Sequence, residues 1–217
     1  MAGRRALVVV AVVSGVLYLL VPAFDGPFVH VITKPIPVLA LAMMVRSARR
    51  DGYGSALAMG LLLSAVGDAL LEVPGRFVAG LATFLCAHVA YTVAFVFDER
   101  RLRAERAIPF AIWLLAAFWW VRRGLGDMTV PVVVYMAAIG TMMWRAAARW
   151  REHPGAAAAL VGAILFGLSD TLIAIDRFRA PLPGVASLAI ILLYWAGQTG
   201  IAASAWSRAA SYPSRDG

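Results

Sequence analysis

A single cysteine, Cys86, stands in the whole chain, so no intrachain disulfide can form and no cysteine cluster can hold a metal. Histidine is nearly as scarce. The three present are scattered, without an HExxH spacing, and offer no ligand set for zinc or haem. Charge is thin as well: 15% of the 217 residues are charged, where a globular domain carries about 25%. No nucleophile elbow, P-loop or GxGxxG fingerprint occurs. Covalent serine chemistry and nucleotide binding have no motif to stand on, and no cofactor or metal is expected.

What the chain has instead is apolar length. It is 62% hydrophobic with a mean hydropathy of +0.79, which makes it a polytopic membrane protein. The expected architecture is all-α: one transmembrane domain over residues 1–217, built as an eight-helix bundle. The spans read as 6–24, 29–45, 53–71, 77–97, 107–121, 128–144, 157–175 and 182–206. A membrane barrel would need alternating runs of about ten residues, and these are missing. Met1 to Arg5 before an apolar run resembles the start of a signal peptide. Without a clear small-x-small cleavage site, the run is kept as the first span.

The net charge of +8 does not point to nucleic acid. Arginines between spans set topology and touch anionic headgroups. Fourteen of the twenty basic residues fall at the termini or in alternate connectors, and six fall on the other side. The positive-inside rule then puts both termini in the cytoplasm of a multi-pass cell-membrane protein, although Arg122 and Arg123 run against it.

Two carboxylates interrupt the apolar runs. Asp68 lies in Ser64-Ala65-Val66-Gly67-Asp68-Ala69-Leu70-Leu71, and Asp170 in Leu165-Phe166-Gly167-Leu168-Ser169-Asp170-Thr171-Leu172. A carboxylate at the centre of a membrane helix costs roughly 2.5–3.5 kcal/mol, so it faces the bundle interior and has a task. Each Asp precedes the end of its span by a few residues on a helix of the same direction, which places both at similar depth. Two nearby carboxylates in low dielectric share a proton and offer one acid and one base. The plainer alternative is that each pairs with a Lys or Arg, or caps a helix.

Other polar residues cluster by helical spacing. Lys34, followed by Pro35 and Pro37, opens the second span and is placed to pair with an Asp, bind a lipid phosphate or snorkel. His88 and Tyr91 share one face of the fourth span. Tyr194 and Gln198 share a face of the eighth, where bonding across helices is the expected role. Ser64 is one turn from Asp68, placed to orient it or to permit close packing. Glu72 and Asp176, at span ends, read as solvated charges.

Taken in order, these motifs resemble the YhhN family. They are Thr33-Lys34-Pro35, Gly67-Asp68-x-Leu70-Leu71, Phe84-x-x-x-His88-x-x-Tyr91, Gly162-Ala163-x-Leu165-Phe166-x-x-Ser169-Asp170 and Tyr194-x-x-x-Gln198. The resemblance covers nearly the whole chain. It implies hydrolysis of the vinyl ether bond of lysoplasmalogens to a fatty aldehyde and glycerophosphoethanolamine or glycerophosphocholine. It implies Asp68 and Asp170 as the catalytic pair. Lys34, His88, Tyr91, Ser64, Ser169, Tyr194 and Gln198 would contact a lysophospholipid drawn from the bilayer. The competing reading is a proton- or cation-coupled small transporter or lipid carrier that uses the same Asp pair.

Overall fold

The computed structural model describes residues 2–20 and 27–209, and every regular element among them is helical. Among the described residues seven runs are long and apolar enough to cross a membrane. The apolar helix α1 (Ala2–Leu20) accounts for the first of the eight expected spans; residues 21–24 of that span lie outside the described residues. The chain divides into two compact units, residues 1–94 and 95–217.

The first unit holds α1, α2 (Pro27–Thr33), α3 (Ile36–Ala48), α4 (Gly52–Leu71) and most of α5 (Phe77–Asp98). Helix α3 lies along α4 and also packs on α1. The second expected span is two helices, broken at Lys34-Pro35. Pro37 has no N–H to offer the Thr33 carbonyl four residues back. That carbonyl accepts instead from Ser14 Oγ of α1, at 2.8 Å. Helix α4 begins at Asp51, whose side chain accepts from the Gly54 amide at 2.9 Å, the usual N-cap bond.

The second unit begins with the end of α5. Then come a short 3-10 turn (Ala104–Ala107), α6 (Ile108–Val121), two further 3-10 turns, α7 (Thr129–Ala148), α8 (Ala156–Phe178) and α9 (Gly184–Ala209). With its flanking turns the fifth span runs from Ala104 to Gly124, longer than expected. Helix α9 starts two residues late because Pro183 disfavours helical backbone at Leu182.

Helices α8 and α9 meet backbone to backbone. A Cβ built on Gly162 would sit 2.6 Å from the Gly197 carbonyl oxygen and from the Ile201 nitrogen. One on Gly200 would sit 2.8 Å from the Gly162 Cα. Small residues allow such approach, and packing of this kind holds membrane helices together without a hydrophobic drive. Gly162→Val is therefore expected to push α8 off α9 at a cost of about 1–3 kcal/mol. The check is a melting temperature in detergent that falls by several degrees.

The arginines of the connector after α5 and of the end of α7 are not loose topology signals. Arg149, fully buried, pairs with Asp98 at 2.6 Å. Arg145 donates to the carbonyls of Arg101 (2.9 Å), Leu102 (3.1 Å) and Glu99. Arg106 caps the end of α7 through the Ala147, Ala148 and Trp150 carbonyls, at 2.9–3.1 Å. Arg103 pairs with Glu152 at 2.8 Å. The Arg101 amide donates to Glu99 at 2.8 Å and holds its carboxyl below the usual carboxylate range. These side chains pin the connector to α7, where headgroup contact was expected.

Candidate active site

In the first unit the site is built on one face of α4. Gly60, Ser64 and Asp68 recur every four residues, and Asp68 is 1% exposed. The glycines there make room for α5. A Cβ on Gly60 would lie 2.3 Å from the Tyr91 ring, and one on Gly67 2.6 Å from the Phe84 ring. Phe84, His88 and Tyr91 thus form the facing stripe of α5, with His88 and Tyr91 fully buried. Ser64 Oγ and Tyr91 Oη are 3.2 Å apart. Lys34 sits at the α2–α3 break and donates from Nζ to Glu72 Oε1 at 2.7 Å. Tyr18, Lys34, Asp68 and Glu72 lie near enough to act on one another electrostatically.

In the second unit Asp170 of α8 accepts from the Tyr135 hydroxyl of α7 at 2.5 Å. Ser169 Oγ donates to the Ile190 carbonyl at 2.9 Å and ties α8 to α9. Tyr194 packs edge-on against Phe166, with centroids 5.2 Å apart, and Gln198 is fully buried one turn on.

Lys34, expected to pair with an Asp, bind a phosphate or snorkel, pairs with Glu72, and Asp68 also lies near enough to act on it. Glu72, read as a solvated charge, is held in that ion pair with its side chain 22% exposed. Ser64, placed by its spacing to orient Asp68 or to permit close packing, is within hydrogen-bond distance of Tyr91. Tyr135 went unnoticed in the sequence, although a lone hydroxyl in Val132-Val133-Val134-Tyr135-Met136 is a signal of the same kind as Asp170. Glu72 had a signal too, since it follows Asp68 by one helical turn. Asp68 belongs to the first unit and Asp170 to the second.

An all-helical membrane protein with acidic side chains carried inside its spans is the class that these features define. Within that class the chain belongs to the YhhN family, whose model matches residues 29–205. Among its relatives, the lysoplasmalogenase TMEM86B of Sus scrofa is 35% identical over 190 residues, covering 85% of this chain and 78% of the relative. Lysoplasmalogenase TMEM86B of Homo sapiens is 38% identical over 177 residues, covering 80% and 74%. A lysoplasmalogenase of Mycobacterium tuberculosis is 36% identical over 128 residues, covering 54% and 48%. No solved structure matches the chain.

Proposed function

We propose that this protein is a lysoplasmalogenase: a membrane hydrolase that cleaves the vinyl ether bond of lysoplasmalogens and releases a fatty aldehyde and a glycerophospho headgroup. The observation that carries the reading is membership of a family whose relatives bear that name, joined to acidic side chains at Asp68 and Asp170 inside apolar helices. The excess of basic residues at the termini and in alternate connectors supports placing both termini in the cytoplasm.

Vinyl ethers hydrolyse by acid. A carboxylic acid delivers its proton to the outer alkene carbon, and the ether oxygen stabilises the resulting oxocarbenium ion. Water adds to the carbon that bears oxygen and gives up a proton to a carboxylate. The hemiacetal then collapses to aldehyde and a free glycerol hydroxyl. Asp68 takes the acid role. Asp170 takes the role of cation stabiliser and base, because the Tyr135 hydroxyl donates to it and orients it as an acceptor. The apolar walls hold the single chain, and Lys34 is the candidate for the substrate phosphate.

Tyr135→Phe is expected to lower kcat by about 10- to 100-fold with KM within about twofold, since the hydroxyl that holds Asp170 is lost. Added to Asp170→Asn, it should cost nothing more, because both act through one carboxylate. Additive losses would separate Tyr135 from the reaction. The assay that tests the function itself is aldehyde release from a lysoplasmalogen by detergent-purified protein. Absence of aldehyde from well-folded wild type would reject the hydrolase reading.

A further inference from the structure

We infer that the Lys34–Glu72 pair is a clamp for a zwitterionic headgroup, in which Lys34 takes the phosphate and Glu72 takes the primary ammonium of phosphoethanolamine. The hydrolase reading supplies the lipid's identity and the role of Asp68; the clamp itself stands on the geometry of α4 and the α2–α3 break.

Three observations carry it. First, the pair is a ready-made complement to a zwitterion. Lys34 Nζ and Glu72 Oε1 satisfy each other at 2.7 Å, with side chains 14% and 22% exposed. A phosphate and an ammonium on one short arm can replace both ends of that contact without stranding either charge, whereas a lone anion on Lys34 leaves Glu72 without its lysine.

Second, the level is right. Glu72 is the residue that closes α4, immediately after the apolar run Gly52–Leu71. Lys34 lies near the start of the apolar run Val29–Ala48. Charged side chains at the ends of spans stand at headgroup depth.

Third, the spacing is right. Asp68 precedes Glu72 by four residues on the same face of α4, about 6 Å deeper at 1.5 Å per residue. The glycerol arm between a vinyl ether and its phosphate has a comparable reach, roughly 6 Å for a few single bonds near 1.5 Å. A lysolipid whose headgroup opens the Lys34–Glu72 pair therefore brings its ether to the level of Asp68, with its chain running on into the apolar layer. The break at Lys34-Pro35 is what lets a lysine stand at this level: the chain turns there, and Lys34 reaches α4 from the end of α2.

The clamp predicts selectivity. A primary ammonium can donate to Glu72, and a quaternary ammonium cannot. Purified protein would be titrated with three saturated, uncleavable ether lipids of one chain length. They carry phosphoethanolamine, phosphocholine or no headgroup at all (an alkylglycerol). Wild type should bind the phosphoethanolamine lipid about tenfold or more tighter than the alkylglycerol, and several-fold tighter than the phosphocholine lipid. Glu72→Gln should erase the preference for ethanolamine over choline. Lys34→Gln should weaken both phospholipids by a similar factor, about tenfold.

Equal binding of all three lipids by wild type would overturn the clamp. So would a Glu72→Gln protein that keeps its ethanolamine preference. If that variant does not fold, the wild-type series decides alone. Because the probes are not substrates, the two proposals fail separately. Headgroup selectivity without aldehyde release from a true lysoplasmalogen keeps the clamp and rejects the hydrolase; aldehyde release without headgroup selectivity does the reverse.

Discussion

Asp68→Asn is expected to abolish fatty aldehyde release, with kcat lower by about 10³-fold or more, while the protein stays folded. General acid catalysis contributes typically 10²–10⁴-fold, and a vinyl ether offers no other entry for the proton than its outer carbon. Asparagine keeps the size of Asp68 and an acceptor oxygen on this buried face, yet it has no proton to give. The loss should therefore fall on kcat, with KM changed little. Asp170→Asn should produce a loss of the same order, because its amide cannot take up the proton that water sheds. Size-exclusion profile and melting temperature in detergent, measured beside aldehyde production, separate a chemical defect from a folding one. Near-wild-type kcat in either variant would remove that residue from the reaction.

The largest effect on stability is expected at Arg149. Its side chain is fully buried and meets the Asp98 carboxylate, whose side chain is 3% exposed, at 2.6 Å. It also lies over the Phe95 ring, 5.2 Å from the centroid. Arg149→Met would leave the Asp98 carboxylate in a dry site without its guanidinium. Breaking a buried pair from one side costs about 3–5 kcal/mol, on the order of 10 °C in melting temperature for a chain of this size. Removing both charges should be far milder, because the penalty lies in the stranded ion more than in the lost bond. Asp98→Asn combined with Arg149→Met is thus expected to recover most of the loss. A double variant as unstable as Arg149→Met alone would mean that Arg149 acts through its packing and not through its charge.

Asp68 and Asp170 were legible because a carboxylate in an apolar run is costly and must be explained. The same reasoning stopped short at Glu72. A charge at the end of a span has water available, and nothing in the local sequence says that a lysine from another helix will take it. Tyr135 was passed over for a related reason, since tyrosine in membrane helices is usually read as an interfacial anchor. Only its bond to Asp170 shows otherwise.

The spans were legible from hydropathy, but their interruptions were not. Pro35 and Pro37 stand at the start of α3, as the N-cap and in the first turn, where proline is tolerated. In the fold they end α2 and free the Thr33 carbonyl for Ser14. The arginines after α5 and at the end of α7 were counted for their sign. Their geometry, with Arg145 and Arg106 collecting backbone carbonyls, depends on a connector path that no periodicity encodes. That Gly67 makes way for Phe84, and Gly162 for the backbone of α9, emerges only when the helices are packed.

The most direct test is hydrolysis of a lysoplasmalogen by the purified protein in deuterated water, with the aldehyde trapped as it forms. Protonation of carbon predicts one deuterium on the carbon next to the aldehyde group for wild type, and no product above background for Asp68→Asn. Aldehyde that carries no deuterium there, or equal yields from wild type and both Asn variants, would contradict the account.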